Sequence, residues 1–387
     1  MGFDFYLSEM SISDHHGGGL TLQRVIGDDL KKIDYLIYVN RFATDIETIP
    51  ALKNKVLDLT SPWDSNFMRR IIGRTRAKAI SSKLPVIKAD AKRAARSIAE
   101  KLKKDGQISG LVCPQGAQSI YTIEALKKHT QLKYVTWVMD DHLISYKNGE
   151  WTYPEGVEAV FAKHLQEAEH IFVISPVMQQ FYQDRFGVKS TVLFGPADAT
   201  KQTQPLSNTS PQIKIGYFGA VTDWQIDGLV AVSNALQGTD VQLNVYSVIK
   251  ELPDSLKANG VYFKGRLLHQ EVLSAMQLYD AILLPISFLE KMRGMSEFNI
   301  ATKMSEYLAS GVPILAIGPP YAAMVKYLKR YNAAIVVEVL ESSAIKHAFS
   351  RLANSEVVEP ILRNSLKRVS VETGVIPTQK RWLDALK

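Results

Sequence analysis

Short apolar runs alternate with amphipathic helical patterns along the chain, and this alternation restricts the fold more than any other feature. Amphipathic stretches such as Gly156–Ala168, Val177–Phe186 and His269–Leu278 separate the runs. Because neighbouring parallel strands need helical crossovers, the pattern predicts an α/β protein with parallel sheets. Twelve runs have the length and composition of strands: Phe3–Leu7, Tyr35–Val39, Gly110–Cys113, Tyr134–Met139, Ile171–Ser175, Thr191–Phe194, Lys214–Phe218, Gln242–Tyr246, Val261–Phe263, Ala281–Pro285, Pro313–Ile317 and Ala334–Val337.

The length of the chain indicates two domains. It has 387 residues, more than one hydrophobic core usually supports. A polar stretch rich in Pro, Ser, Thr and Gln lies between Gly195 and Gln212, and we interpret it as an interdomain linker. Ligands of open α/β sheets bind at the carboxyl ends of the strands, so we expect the binding cleft between the two domains. The predicted segments are an N-terminal domain at 1–200, a linker at 201–212, a C-terminal domain at 213–370 and a final helix at 371–387.

Composition excludes several classes of protein. Cys113 is the only cysteine, which excludes a disulfide framework and a cysteine-based zinc site within one chain. The N-terminus enters a strand-like run without the basic segment and apolar core of a signal peptide. No uninterrupted apolar run approaches the ~20 residues of a membrane-spanning helix. We therefore expect a cytoplasmic protein, either soluble or peripheral on the inner face of the cell membrane.

The net charge of +7 comes from one segment of the chain. Between Asn66 and Asp105, thirteen Lys and Arg residues against three acidic ones give +10, so the rest of the chain carries −3. Such a segment can bind an anionic membrane surface or can form a solvated helix face, and the sequence leaves both interpretations open. Nucleic acid is not an expected partner, because no recognisable binding motif accompanies the charge. The segment begins with several apolar residues, namely Phe67, Met68, Ile71 and Ile72.

A glycine cluster follows the first predicted strand. Gly17–Gly19 precede a helix-like stretch, and glycines there let the backbone approach a ligand and present N–H groups to it. A flexible turn without a binding role has the same composition. His15 and His16 stand next to the glycines, but adjacent residues seldom share a metal-ligand face and no third ligand has suitable spacing. We therefore expect no metal site at this position.

Two acidic residues and a histidine come after the predicted strand Tyr134–Met139. Asp140, Asp141 and His142 follow it directly, at the strand end where ligands of α/β folds bind. A histidine beside a carboxylate can shuttle a proton or contact a sugar hydroxyl. The alternative is structural, since Asp140 or Asp141 can cap the following segment.

A third motif lies in the C-terminal half, at residues 296–317. It predicts a loop, a short helix and a buried strand, because Gly311 is typical of a helix end and Pro313 cannot continue a helix. Lys303 and Glu306 fall in the first turns of that helix. The first N–H groups of a helix have no internal partner, so a junction of this kind is a candidate phosphate site.

Taken in order, these features resemble a GT-B glycosyltransferase of the retaining, E-x7-E group that uses nucleotide-sugar donors. The segments that carry the resemblance are EAEHIFVISPVMQQFYQDRFGV, TVLFGPAD, IKIGYFGAVTDWQIDGLV, VYFKGRLLHQEVLSAMQLYDAILLPIS and TKMSEYLASGVPILA. The resemblance covers nearly the whole chain. It implies two Rossmann-like domains whose parallel sheets face each other across a cleft, with the acceptor on the first domain and the donor on the second.

The resemblance also assigns roles to residues. It places Glu306 on the ribose hydroxyls, Lys303 on the diphosphate, and Gly265 and Arg266 beside the base. Asp141, His142 and Lys303 are then the candidate catalytic residues. No metal or other cofactor is required, because Lys303 and helix dipoles can stabilise the leaving diphosphate. The remaining candidate donor-binding residues are Gly18, Gly19, Gly219, Trp224, Arg293 and Thr302.

The chain departs from the family pattern at two positions. Phe298 stands where the first glutamate of the E-x7-E pair is expected, and Ala220 stands where an arginine is usual. The implied function is transfer of a hexosyl group from a nucleoside-diphosphate sugar to a glycan or lipid-linked acceptor, in bacterial surface polysaccharide or glycoconjugate assembly. Two alternatives remain open: a UDP-sugar 2-epimerase on the same fold, and a non-catalytic subunit that binds sugar nucleotides.

Overall fold

A computed structural model of the chain describes residues 2–13, 17–39, 48–102, 106–197 and 212–387. His15, His16 and nearly all of the predicted linker lie outside these ranges. The chain forms two compact units. Unit 1 comprises Met1–Leu193 together with Gln379–Lys387, and unit 2 comprises Phe194–Thr378.

Unit 1 is built on a seven-stranded parallel sheet with the order β3-β2-β1-β4-β5-β8-β9. Its central strands are apolar on both faces, as in sheets that helices cover on both sides. A separate antiparallel hairpin, β6–β7, follows the fifth strand. The strands are β1 (Phe5–Ser8), β2 (Tyr35–Tyr38), β3 (Val56–Asp58), β4 (Gln107–Cys113), β5 (Gln131–Val138), β6 (Ser145–Lys147), β7 (Glu150–Thr152), β8 (His170–Val173) and β9 (Thr191–Val192).

Helices cover both faces of this sheet, and one hydrophobic cluster lies on each face. The longest of these helices, at Leu84–Leu102, buries Ile87, Ala91, Ala95 and Ile98, which have the three- and four-residue spacing of one helix face. The helices are α1 (Gly17–Ile26), α2 (Asn66–Ile72), α3 (Arg74–Ser81), α4 (Leu84–Leu102), α5 (Ala117–Leu126), α6 (Glu158–Glu167) and α7 (Pro176–Phe186).

Unit 2 contains a six-stranded parallel sheet with the order β12-β11-β10-β13-β14-β15. Its strands are β10 (Ile213–Phe218), β11 (Val241–Tyr246), β12 (Val261–Gly265), β13 (Ala281–Pro285), β14 (Ile314–Ile317) and β15 (Ile335–Val337). Its helices are α8 (Ile226–Ala235), α9 (His269–Met276), α10 (Arg293–Phe298), α11 (Thr302–Ala309), α12 (Ala323–Arg330), α13 (Ser342–Leu352) and α14 (Ser355–Arg368), and the last helix of the chain is α15 (Val375–Ala385).

The end of α15 packs on unit 1 through Trp382. The Trp382 ring lies 4.7 Å from Phe172, 5.7 Å from Trp137 and 6.2 Å from Phe3, measured between ring centroids. Gln379 Nε2 also donates a hydrogen bond to the carbonyl of Arg24 at 2.8 Å. These contacts explain why the last nine residues of the chain belong to the first compact unit.

The α/β class with parallel sheets is confirmed, and each of the twelve predicted strands corresponds to an observed strand with small shifts of its ends. Three strands were not predicted. β3 is a three-residue edge strand whose side chains are partly exposed, and β6 and β7 form a short solvent-facing hairpin. Strands of this length bury too little apolar surface to leave a pattern in the sequence.

Candidate functional site

The strand order of unit 2 reverses between β10 and β13, which is the position where ligands of doubly wound sheets bind. The loop after β10 begins at Gly219, and the loop after β13 begins at Ile286. Gly219 N–H donates to the carbonyl of Tyr246 at 2.9 Å, which keeps the first of these loops against the end of β11. Several of the residues that the sequence indicated lie around this point.

Lys303 and Gly219 meet at the end of β10. A Cβ atom on Gly219 would lie 1.9 Å from Lys303 Nζ, so any other residue at this position would displace the ammonium group. The Lys303 ammonium also lies 5.9 Å from the centre of the Tyr217 ring. Burial lowers the pKa of Lys303 to about 8, although the nearby Glu306 carboxylate favours its charged form. A half-buried cation therefore stands at the point where the strand order reverses.

Lys303 lies in the first turn of α11, and this turn faces the end of β10. The residue before this helix is Ala301, whose methyl group cannot accept a hydrogen bond from the helix N–H groups. Tyr307 Oη, one turn further on, donates to the carbonyl of Phe218 at 3.1 Å and so fixes the helix against the end of β10. The positive end of the helix and the Lys303 ammonium together favour an anion at this position. Thr302 and Glu306 are both half-buried in the same turns.

Two carboxylates hold the loop after β13 against the segment that follows β10. Asp227 Oδ2 accepts hydrogen bonds from the N–H of Phe288 at 2.6 Å and from the Ser287 hydroxyl at 3.2 Å. Asp223 forms an exposed ion pair with Lys291. In the structure, Asp227 fixes the backbone of the loop that leads to α10.

Arg293 begins α10 and lies between an acid and an aromatic ring. Its Nε atom is 2.9 Å from Glu297 Oε2, and its guanidinium lies 4.6 Å from the centre of the Tyr321 ring. Phe298, at the position of the first family glutamate, is 3% exposed and belongs to the core. The nearest carboxylate along the chain is that of Glu297, and it forms the ion pair with Arg293.

Gly265 and Arg266 lie at the end of β12, two strands away from Gly219. Gly265 has a φ of +76°, which favours glycine, and its carbonyl accepts from the N–H of Ser247 at 2.9 Å. Two buried polar atoms near this edge, Ser247 Oγ and Trp224 Nε1, have no hydrogen-bond partner among the described residues. Arg266 is exposed, so the edge of the sheet from β10 to β12 offers ligands both backbone and side-chain donors.

In unit 1, Asp141 is buried and accepts four hydrogen bonds. Its Oδ1 accepts from the N–H groups of Leu143 and Ile144 at 3.1 and 3.2 Å, and its Oδ2 accepts from the hydroxyls of Tyr153 and Tyr182 at 2.7 and 2.9 Å. Burial raises the pKa of Asp141, and these hydrogen bonds partly offset the rise. Its contacts connect the loop at 140–144 to Tyr153, which directly follows β7, and to Tyr182 in α7.

The neighbours of Asp141 are more accessible. His142 is exposed and Asp140 is half-buried. Burial raises the pKa of Asp140, the charge of Asp141 raises it further, and the charge of His142 lowers it. Asp140 and His142 are therefore close enough to interact electrostatically, and His142 is the member of the pair that solvent reaches.

Gly17–Gly19 form the first turn of α1 rather than the predicted loop. A Cβ atom on Gly18 would lie 2.4 Å from Met10 Sδ, so a larger residue here would force the Met10 side chain to move. Gly19 is buried. Neither glycine lies in the unit that carries Lys303.

A buried acid that the sequence did not indicate, Glu9, directly follows β1. Its carboxylate accepts from the N–H groups of Gln115 and Ser119 at 2.9 and 2.8 Å, at the start of α5. Burial raises the pKa of Glu9, and the two backbone hydrogen bonds oppose the rise. The strand order of unit 1 reverses between β1 and β4, so the carboxylate of Glu9 takes the place that an anionic ligand would have there.

A second buried charge cluster in unit 1 was also missed. Asp64 is fully buried and forms a bidentate pair with Arg69 at 2.8 and 2.9 Å, while Lys78 Nζ lies 3.9 Å away. Burial lowers the pKa of Lys78, and Asp64 and Glu9 oppose this effect. Gln115 Nε2 is buried and has no partner among the described residues. An acid close after a predicted strand end was the available signal for Glu9, whereas Asp64 follows β3, which was not predicted.

The described residues lack two further features. They contain no group of three His, Cys, Asp or Glu side chains that could hold a metal ion. Of the helices in these ranges, none is both long and apolar enough to cross a membrane.

Comparison with known proteins identifies the fold. No family model matches the chain, and no curated protein matches it in sequence. Solved structures do match over nearly the whole length. A sucrose-phosphate synthase from Thermosynechococcus elongatus aligns with a TM-score of 0.67 at 14% identity, covering 100% of both chains. A glycosyltransferase from Rickettsia africae aligns with a TM-score of 0.66 at 14% identity, also over 100% of both chains.

A third structure, HepE from Anabaena in complex with UDP-glucose, aligns with a TM-score of 0.63 at 12% identity, covering 99% of this chain and 98% of HepE. Each sheet described above is parallel and has one reversal of strand order, as in doubly wound α/β folds. The chain therefore has the GT-B fold.

Proposed function

We propose that this protein is a glycosyltransferase that moves a hexosyl group from a nucleoside-diphosphate sugar to a glycan or lipid-linked acceptor, in bacterial surface polysaccharide or glycoconjugate assembly. The observation that carries the proposal is the half-buried ammonium of Lys303, which lies beside Gly219 at the strand-order reversal of unit 2. Burying this charge destabilises the free protein, and an anionic ligand would compensate for it.

The donor diphosphate would bind between Lys303 and the first turn of α11. Glu306, one turn further along the helix, would accept hydrogen bonds from the ribose hydroxyls. The base would lie along the strand ends near Gly265 and Arg266, where Ser247 Oγ and Trp224 Nε1 can donate hydrogen bonds. UDP-glucose is the ligand in the similar HepE structure, so a UDP-sugar is the first donor to test.

Transfer develops negative charge on the leaving diphosphate, and groups that are already in place stabilise it most effectively. Lys303, the helix dipole of α11 and Arg293 would supply this stabilisation, so we infer that the reaction needs no divalent metal. Arg293 would act once its ion pair with Glu297 rearranges on binding. The implied stereochemical outcome is retention, and NMR of the anomeric proton in the product tests it.

The acceptor would bind at the strand ends of unit 1, where polar and charged groups are concentrated. Lys78 and the amide of Gln115 lie near the end of β1, and His142 lies at the end of β5. We infer that His142 contacts an acceptor hydroxyl and that Asp141 positions the loop that carries it.

The first test is thermal denaturation of the pure protein with UDP, GDP, dTDP or ADP, each with and without EDTA. A ligand at 100 times its Kd stabilises the folded state by ~2.7 kcal/mol. The proposal predicts a shift with one nucleotide that EDTA does not remove and that Lys303→Met abolishes. No shift with any nucleotide contradicts it.

A second experiment separates catalysis from binding alone. The protein that binds a nucleotide is incubated with the matching sugar donor, and free sugar, free nucleotide and the C2 epimer of the donor are measured. Slow release of sugar and nucleotide supports a transferase. Conversion to the C2 epimer identifies the epimerase alternative instead. Binding without turnover in the presence of acceptor glycans indicates a non-catalytic subunit, for which the burial of Phe298 in place of the family glutamate is the structural argument.

A further inference from the structure

In helix α2 of unit 1, only the side chain of Arg69 is buried, and the other side chains are partly or largely exposed. Phe67 and Ile71 are 69% and 61% exposed, and Trp63 in the preceding turn is 45% exposed. Phe67, Arg70 and Ile71 stand at positions i, i+3 and i+4 and therefore share one face of the helix. Large apolar side chains that are neighbours and point to solvent mark an interaction surface rather than a folding core.

The polar side of α2, not its apolar side, attaches the helix to unit 1. A seven-residue helix has little stability of its own. Here Ser65 Oγ accepts from the N–H of Met68 at 3.3 Å and caps the helix. Arg69 forms the bidentate pair with the fully buried Asp64. Phe67 and Ile71, which remain largely exposed, contribute little to the packing of unit 1.

The apolar face has basic surroundings. Arg70, Arg74 and Arg76 are all exposed. Over the described residues 66–102 there are eleven Lys and Arg residues against two acidic ones, a net charge of +9. The aromatic and aliphatic side chains thus project from a positively charged surface.

We propose that this surface binds an anionic lipid bilayer. We call it the docking face, and it is formed by Trp63, Phe67, Arg70, Ile71 and Arg74. Amphipathic helices of this composition lie in the plane of the interface, with apolar side chains below the headgroups and cations among them. Indole and phenyl rings favour this depth. A second copy of the chain is a poorer occupant, because two docking faces would repel each other at short range. This inference does not depend on the proposed sugar transfer.

The test compares the binding of the full chain to phosphatidylcholine vesicles and to vesicles that also contain phosphatidylglycerol, measured by co-sedimentation. We expect the protein to bind only the vesicles that contain phosphatidylglycerol, and we expect added salt to weaken this binding. Changing Arg70, Arg74 and Arg76 to Glu should lower the partition coefficient by a factor of ~100 or more, because each cation near the surface contributes about a factor of five. Phe67→Ser with Ile71→Ser should lower it by a factor of ~10 or more. Arg69 is kept, because its loss would leave Asp64 buried without its partner.

Matched controls change the same properties elsewhere. Lys250, Arg363 and Lys367 are exposed in unit 2, and their triple change to Glu alters net charge equally. Leu278→Ser with Ile376→Ser removes two apolar side chains that are 60% and 78% exposed. The proposal holds if the docking-face variants lose binding and the controls keep it, with all melting temperatures near that of the wild type. It fails if wild type binds neither vesicle, if controls and docking-face variants lose binding equally, or if Phe67→Ser with Ile71→Ser instead abolishes self-association in sedimentation velocity.

Discussion

Replacing Lys303 by methionine should stabilise the ligand-free protein and, at the same time, abolish its affinity for nucleoside diphosphates. Burial lowers the pKa of Lys303 from its ordinary value of 10.5 to about 8. Because one pKa unit corresponds to about 1.4 kcal/mol, keeping this ammonium charged at pH 7 destabilises the fold by at most about 3 kcal/mol. Contact with solvent reduces this to roughly 1–3 kcal/mol. Methionine keeps most of the aliphatic stem without the charge.

The stability difference should depend on pH in a defined way. Below pH 8, Lys303 is charged in both the folded and the unfolded state, so the full penalty is present. Between pH 8 and 10.5 the folded state loses this proton before the unfolded state does, so the penalty falls and vanishes above 10.5. The advantage of Lys303→Met should therefore be largest at pH 7 and should shrink towards pH 10.

Differential scanning calorimetry at pH 7 and near pH 10, with and without UDP, measures both effects. We expect Lys303→Met to raise the Tm by roughly 5 °C at pH 7 and to lose the UDP-dependent shift. Lys326→Met, which changes an exposed lysine of α12, controls for the loss of one positive charge. A variant that is less stable than wild type at both pH values would refute the reasoning, because packing of the lysine stem would then outweigh burial of its charge.

Three further variants test other parts of the site. Gly219→Ala places a methyl group where the Lys303 ammonium lies, so nucleotide affinity measured by calorimetry should fall by about 1.5–3 kcal/mol; unchanged affinity would contradict the assigned site. Asp141→Ala leaves four donors unpaired, two of them buried, and should lower the free energy of unfolding by about 3–5 kcal/mol. His142→Ala should leave the free energy of unfolding within about 0.5 kcal/mol and lower the transfer rate about 100-fold. Asp227→Ala frees the loop after β13 and should lower stability by about 1–3 kcal/mol while raising the KM for donor, and an unchanged KM would separate this loop from donor binding.

The sequence predicted most of the fold because the central strands are apolar on both faces. β13 and β14 are buried along their full lengths, and such runs between Gly and Pro residues are readily detected. Ser175 followed by Pro176 is also a typical helix start, and in the structure Ser175 Oγ accepts from the N–H of Met178 at 3.0 Å. The strands that were not predicted are short: β3, β6 and β7 have three residues each.

The candidate site was predictable only where it is local in sequence. Lys303 and Glu306 are one turn apart on one helix, so their spacing alone placed them together. The environment of Asp141 depends on Tyr153 and Tyr182, which are 12 and 41 residues away in the chain. The same limit applies to Gly219. A side chain at this position would meet Lys303, which lies on another element. Long-range packing of this kind leaves no local pattern.

The two units differ in the charge that they place where their strand order reverses. In unit 1, the carboxylate of Glu9 accepts the N–H groups at the start of α5 and occupies the position of an anionic ligand. In unit 2, the corresponding helix start at α11 has a cation, Lys303, beside an alanine that cannot cap it. An anion is therefore repelled from the first position and attracted to the second. Under the proposed function, this difference in charge favours unit 2 for the donor diphosphate, and the strand ends of unit 1 would then take a ligand recognised through its hydroxyl groups.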